Sequence, residues 1–149
     1  MKATFGRIEA LTSNVRSVRA TGSCAMNMCG VAMGRLDAFY EIGFGGPWDC
    51  AAAAIVVQEA GGMVLDPAGG AFDLMARRVL CSNAHLGHSL ARVLATVPDG
   101  DTEPHAHGYV PPPPQVRAFA SCITLHTTLR PPGFLSRPRR CRRGCRRRP

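Results

Sequence analysis

The sequence predicts a layered α/β domain followed by a segment of different composition. Strand-like and helix-like segments alternate between residues 15 and 97, and such alternation is typical of layered α/β folds. Residues 98–149 carry ten of the twelve prolines, and their apolar residues show no sustained period. Such a segment buries too little apolar surface to offset its chain entropy, so we expect 98–149 to be a largely disordered tail rich in proline and arginine.

The predicted elements between these limits follow from local residue patterns. Thr21 or Ser23 can cap a first helix, four consecutive alanines after Cys50 favour a second, and apolar residues with helical spacing favour a third. In chain order the elements are an unassigned segment (1–14), a β-like run (15–20), a buried helix (24–33), a strand (38–42), a Gly-rich loop (43–47), a helix (49–60), two short strands (63–65 and 79–82) and a last helix (86–97).

The charge of the chain is concentrated in the tail. The formal net charge is +8, of which residues 98–149 contribute +7 and residues 1–97 only +1. The basic character therefore says little about the partners of the predicted domain. An arginine-rich nucleic-acid binder is one hypothesis, but no aromatic residues interleave with the arginines, so we expect at most weak binding without sequence preference.

The cysteines and the hydropathy of the chain indicate the cellular environment to expect for the protein. Seven cysteines are an odd number, and no secretory signal is apparent at the N-terminus, which argues against a disulfide framework. The sequence contains no run of eighteen apolar residues, so we expect no membrane span. We predict a reducing, cytoplasmic environment.

Three carboxylates, Asp37, Glu41 and Asp49, fall within 13 residues and suggest a polar site. Glu41 ends a predicted strand, Asp49 starts a predicted helix, and a Gly-rich loop joins them, so both could face one pocket. Converging carboxylates suit Mg²⁺, which prefers oxygen ligands. Two structural roles remain open: Asp49 could simply cap the helix, and Glu41 could be a solvated strand end.

Several motifs in fixed order resemble the C-terminal part of the inositol monophosphatase family. The Trp-Asp-x-Ala-Ala element begins at Trp48, and Glu-Ala-Gly-Gly follows from Glu59. The resemblance covers about residues 15–97. Its five elements are 22–34 (Gly-Ser-Cys-Ala-Met-Asn-Met-Cys-Gly-Val-Ala-Met-Gly), 37–41 (Asp-Ala-Phe-Tyr-Glu), 47–53, 59–66 and 69–75.

The resemblance implies a function and a set of site residues. It implies an αβαβα sugar-phosphatase fold, of which this chain would form the C-terminal half, and a lithium-sensitive, Mg²⁺-dependent homodimer that hydrolyses myo-inositol monophosphates in inositol and phosphatidylinositol metabolism. It makes Asp49 a metal ligand that also contacts an inositol hydroxyl, and Glu41 a ligand of another hydroxyl. It places the turn Gly22, Ser23 and Cys24 against the substrate.

The chain also departs from the family pattern. The other metal ligands of the family come from an upstream glutamate and from Asp-Pro-x-Asp-Gly-Thr, and neither occurs here; Asp66-Pro67 begins like that motif but is predicted to be a turn. One extra residue stands between Glu41 and Asp49, and Cys24 replaces a frequent alanine. We therefore expect a truncated chain that is inactive by itself, or a non-catalytic fragment that pairs with full-length subunits.

Overall fold

A computed structural model describes residues 2–105 and 121–126 of the chain. No helix in this part is both long and apolar enough to cross a membrane. The helices are Lys2–Thr12 (α1), Cys24–Ala32 (α2), Ala51–Glu59 (α3) and Gly87–Leu94 (α4), and a single 3-10 turn covers Pro47–Asp49. The strands are Ser17–Arg19 (β1), Ala38–Ile42 (β2), Met63–Leu65 (β3), Arg78–Ser82 (β4) and Ser121–His126 (β5).

The five strands form one sheet in the order β1-β5-β2-β4-β3. Each neighbouring pair is antiparallel. Every residue of β2 and of β4 is buried, so these two strands form the centre of the structure. Tyr40 of β2 lies opposite Leu80 of β4 on one side and opposite Ile123 of β5 on the other.

The sheet is covered by a pair of helices on each face. Successive side chains of a strand point to opposite faces, and β2 divides its residues accordingly. Phe39 packs in a cluster with residues of α2 and α3, including Met28 and Val57. Ala38, Tyr40 and Ile42 pack in a second cluster with residues of α1 and α4. The predicted α/β layering is confirmed as a helix–sheet–helix arrangement.

Helix α1 occupies the segment that the sequence left unassigned. Only Arg7 and Leu11 of this helix are buried, so its apolar stripe is too narrow to recognise from periodicity. Gly6 allows α1 to lie close to the residues that follow α4, because a Cβ at this position would lie 3.1 Å from Val97 Cγ1. The helix is therefore stabilised by contacts with the rest of the fold more than by its local sequence.

The predicted tail contains structure that its composition did not indicate. Residues 98–149 were expected to be largely disordered, and within them Ser121–His126 form β5 between β1 and β2. Residues 98–105 also pack against the domain through Asp99, Glu103 and Pro104. The prediction for 106–120 and 127–149 lies outside the described residues.

Two buried arginines attach residues 98–105 to the domain. Arg7 of α1 is 2% exposed and pairs with Asp99 and Glu103, each at 2.8 Å. Arg78 of β4 is 1% exposed and pairs with Asp66 and Asp99, each at 2.7 Å. Because a buried charge is costly unless it is paired, these carboxylates are required for the two arginines to be buried. The proline-rich composition of residues 98–149 gave no indication that 98–105 pair with these arginines.

Glu103 is held in its charged form by this network. Burial opposes its ionisation, but hydrogen bonds from Arg7 and from the Gly100 N–H, together with the charge of Arg7, outweigh burial and lower the pKa of Glu103. A carboxyl whose pKa is lower in the folded state stabilises the fold fully above its unfolded pKa of about 4.3. That contribution is lost as the pH falls through the folded value.

We predict that Glu103→Gln lowers the free energy of unfolding at pH 7 by about 1–3 kcal/mol, since Arg7 loses its charged acceptor. The difference between the variant and the parent chain should shrink as the pH is lowered below about 4. Urea unfolding between pH 3 and pH 7 measures both effects. Asp101→Asn, at an exposed position two residues away, is the matched control and should change little. A pH-independent difference would contradict the assignment.

Candidate functional site

The turn before α2 is fixed by side chains at its two ends. Ser23 is the N-cap of α2, and its Oγ accepts a hydrogen bond from the Met26 N–H at 3.3 Å. Asn27, which is 6% exposed, accepts from the Thr21 hydroxyl at 2.5 Å and donates to the Thr21 carbonyl at 3.2 Å. The predicted cap is therefore Ser23, while Thr21 holds the turn through Asn27, a residue that the sequence analysis did not select.

Gly22 and Cys24 occupy different environments in this turn. No described atom other than its neighbours lies within 4 Å of a Cβ placed on Gly22, so the turn is open to solvent at that point. Cys24 is 7% exposed and packs among the core residues between α2 and the sheet. Its side chain therefore belongs to the core, and only its backbone can face a ligand at the start of the helix.

Glu41 is buried inside the domain and is not the solvated strand end that remained open from the sequence. It is 4% exposed and stands one residue before the end of β2. By strand alternation it shares a face with Phe39, which packs against α2 and α3. A carboxylate buried to this extent is costly unless it has polar partners, so its position is unusual for a purely structural residue.

The sequence left open that Asp49 caps the following helix, but in the structure it does not. It is the last residue of the 3-10 turn, and α3 begins at Ala51 after an N-cap, Cys50, that makes no side-chain capping bond. The Asp49 carboxylate instead accepts a hydrogen bond from the Gly46 N–H at 3.1 Å. This bond turns the carboxylate back toward the loop that follows β2.

Two glycines allow this loop to lie close to the 3-10 turn. A Cβ on Gly45 would lie 2.8 Å from Asp49 Oδ2, and a Cβ on Gly46 would lie 2.5 Å from the Trp48 ring. Phe44 fixes the loop to the core, since it is 2% exposed and packs in the α2–α3 cluster. The loop between Glu41 and Asp49 is thus held by packing.

Arg77, which immediately precedes β4, holds this loop through hydrogen bonds to its backbone. Its Nε donates to the Phe44 carbonyl at 2.6 Å, and its Nη2 donates to the Gly43 carbonyl at 3.2 Å. The Gly43 N–H in turn donates to the Arg77 carbonyl at 2.9 Å. Arg77 adopts a φ of 57°, which a residue with a Cβ rarely does, and its hydrogen bonds offset this strain. Sequence reasoning missed this positioning residue because the contact spans more than thirty residues.

The chain topology brings the site residues to one end of the sheet. Helix α2 leads into the start of β2, and α3 follows the end of β2, while both helices pack on the same face. Their N-termini therefore lie at the end of β2 that carries Glu41. Helix N-termini favour negative charge, so this end of the domain suits an anionic ligand.

Cys50, the residue after Asp49, is influenced by both carboxylates. Burial raises the pKa of the Cys50 thiol to about 11, and the charges of Asp49 and then Glu41 add to the shift. Both carboxylates therefore act on the same thiol. That Glu41, Asp49 and the turn Gly22–Cys24 lie on one side of the domain stays a prediction.

A bound Mg²⁺ would need more ligands than these residues supply. Mg²⁺ demands near-octahedral oxygen coordination. Between residues 2 and 105, the structure contains no group of three or more His, Cys, Asp or Glu side chains that could hold a metal ion. Asp49 can offer one carboxylate, but this part of the chain does not fit a complete Mg²⁺ site.

Comparison with known proteins identifies the family. The sequence profile described as the inositol monophosphatase family matches residues 2–99, which is more than half of the chain. This chain belongs to the inositol monophosphatase family. The match includes α1, which the resemblance seen in the sequence did not reach. It ends before β5.

Individual relatives support the same family assignment. The chain is 62% identical to inositol monophosphatase 2 of Solanum lycopersicum over 92 residues, which are 62% of this chain and 35% of that protein. It is also similar to the structure of an inositol monophosphatase from Anabaena, with a TM-score of 0.60 and 34% identity over 64% of this chain and 37% of the other.

A second similar structure is a staphylococcal inositol monophosphatase solved with inositol monophosphate bound. Its TM-score is 0.51 with 25% identity, covering 57% of this chain and 34% of that one. The present chain spans about a third of the length of the curated relatives it matches.

We predict that Arg77→Met releases the loop between Glu41 and Asp49. Two buried carbonyl groups would lose their donor, which should lower the free energy of unfolding by about 2 kcal/mol. Amide exchange of residues 43–46 should accelerate more than that of β3. Arg92→Met, at an exposed position on α4, is the matched control. Equal exchange in both variants would show that Arg77 does not hold the loop.

Proposed function

We propose that this chain forms the inositol-facing part of a Mg²⁺-dependent phosphatase that hydrolyses myo-inositol monophosphates to inositol and phosphate. The main support for the proposal is the burial of Glu41 near the end of β2, together with the hydrogen bond that turns the Asp49 carboxylate back toward the loop after β2. Neither carboxylate serves the structural role that its sequence position suggested. The family membership of the chain supports the same reaction class.

The proposed roles follow from the chemistry of each group. Glu41 accepts a hydrogen bond from one inositol hydroxyl, and Asp49 accepts from another while offering an oxygen to Mg²⁺. The exposed turn of Gly22, Ser23 and Cys24 presents backbone N–H groups at the start of α2, which suits an anionic substrate. The buried surroundings of Glu41 strengthen its hydrogen bonds relative to those in water.

Mg²⁺, when bound, would lower the pKa of a water molecule and stabilise the leaving oxygen. Because residues 2–105 do not complete its coordination, the remaining ligands must come from outside them. The chain by itself therefore supplies substrate contacts and one metal ligand. We propose that it cannot catalyse the reaction alone.

A chimera tests the proposed roles directly. The 92-residue matching region of this chain would replace its counterpart in the relative from Solanum lycopersicum, and phosphate release from inositol 1-phosphate would be measured with Mg²⁺. We expect the chimera to turn over. Asp49→Asn should reduce kcat/KM by at least about a hundredfold, and Glu41→Gln should also reduce it. The isolated chain should release no phosphate in the same assay.

The matched control is Asp73→Asn, which removes an exposed carboxylate on the loop before β4 and should leave the rate unchanged. An active chimera that is insensitive to Asp49→Asn and Glu41→Gln would refute the roles given to these two residues. Mg²⁺-dependent turnover by the isolated chain, abolished in Asp49→Asn, would refute the claim that it cannot act alone.

Exposed apolar side chains favour a second candidate function, pairing with full-length subunits. Met26 on α2 is 64% exposed, Ile55 on α3 is 61% exposed, and Trp48 before α3 is 74% exposed. Helices α2 and α3 pack on the same face of the sheet, and exposed apolar residues on neighbouring helices favour contact with a partner or aggregation. Sedimentation of an equimolar mixture with the same plant relative tests this function: a faster mixed species supports it, and unchanged profiles of the two separate proteins contradict it. Met26→Gln with Ile55→Gln should abolish the mixed species.

A further inference from the structure

Strands β1 and β2 are joined by α2 but do not pair with each other. Both strands are antiparallel to β5, so they run parallel to one another with β5 between them. This is a split β-α-β unit, in which the crossover skips one strand position. The two strands are therefore about 10 Å apart, which is twice the spacing of neighbouring strands.

The position between them must be filled for the sheet to be complete. All five residues of β2 are buried, and its pairing with β4 satisfies only one of its edges. Buried backbone N–H and C=O groups nearly always have hydrogen-bond partners. Among the described strands, only β5 pairs with the other edge of β2, and only β5 pairs with β1.

The strand that fills this position lies outside the family match. The match ends at residue 99, whereas β5 begins at Ser121. The family's own sheet must therefore be completed here by residues other than 121–126. The relatives have enough chain to supply such a strand, because the matched region is only about a third of their length.

The register of β5 suits the position. Ile123 and Leu125 occupy the places opposite Tyr40 and Ala38 of β2, which are fully buried residues of the α1–α4 cluster. Leu125 also lies opposite Val18 of β1, a partly buried residue that packs against the same cluster. From Ile123 to His126 the segment alternates apolar and polar residues (Ile-Thr-Leu-His), which is the pattern of a strand with two different faces.

We infer that Ser121–His126 is a surrogate strand: the chain's own tail occupies a strand-acceptor groove between β1 and β2 that other residues fill in relatives. The groove recognises an extended segment by backbone hydrogen bonds on both edges, which is the physical basis of strand addition. This inference rests on the sheet topology and is independent of the proposed phosphatase function.

Amide hydrogen exchange of the full-length chain, followed by mass spectrometry, tests the inference. Amides of 121–126 should be protected to a similar degree as those of β2. Replacing both Ile123 and Leu125 with proline removes two donors from a central strand and should prevent pairing. In that variant, exchange of peptides covering β1 and β2 should accelerate at least tenfold. A synthetic peptide of residues 119–128 added in excess should restore protection, and a scrambled peptide should not.

The matched control is Leu129→Pro, three residues beyond the strand, which should leave exchange in β1 and β2 unchanged. Rapid exchange of 121–126 in the parent chain would overturn the inference without reference to any variant. So would proline variants that exchange like the parent, or that unfold and are not restored by the peptide. Protection that disappears on dilution, together with a dimeric mass, would assign the strand to a second copy and overturn the intramolecular assignment.

Discussion

Strand β2 must be paired at both edges and covered on both faces, and the other elements are arranged around it. All five of its residues are buried, so both faces need helices and both edges need strands. Helices α2 and α3 cover the face that carries Phe39 and Glu41, and α1 and α4 cover the face that carries Tyr40. Strand β4 satisfies one edge and β5 the other. The same strand that organises the core therefore places a carboxylate at its end.

Two neighbouring arginines perform different tasks at the beginning of β4. Arg77 points to the loop after β2 and donates to backbone carbonyls near the candidate site. Arg78 pairs with Asp66 and Asp99 on the other face, where Arg7 joins the same network. Arg78 is the first residue of β4, whereas Arg77 precedes the strand with a φ of 57°, so the two side chains leave the backbone in different directions. One dipeptide thus links the site loop to the segment that follows α4.

The candidate site combines rigid and open parts. Ser23 and Asn27 fix the turn before α2, while Gly45 and Gly46 allow the Asp49 carboxylate and the Trp48 ring to approach the loop closely. Gly22, by contrast, faces open space. Supporting groups that hold backbone while leaving one side accessible are what a preorganised binding site requires.

The family resemblance, the layered α/β class and most elements between residues 15 and 97 could be predicted from the amino-acid sequence. These depend on short-range signals: the Ser23 cap, the alanine run of α3 and the apolar spacing of α4. The sequence also predicts that Glu41 and Asp49 face one pocket, because only a short loop separates them. Tertiary structure alone decided the helical state of residues 2–12, the burial of Arg7 and Arg78, the support of the loop by Arg77 and the insertion of β5. Each of these depends on partners far away in the chain, and the charge pairing or strand pairing that stabilises them leaves no local periodicity to detect.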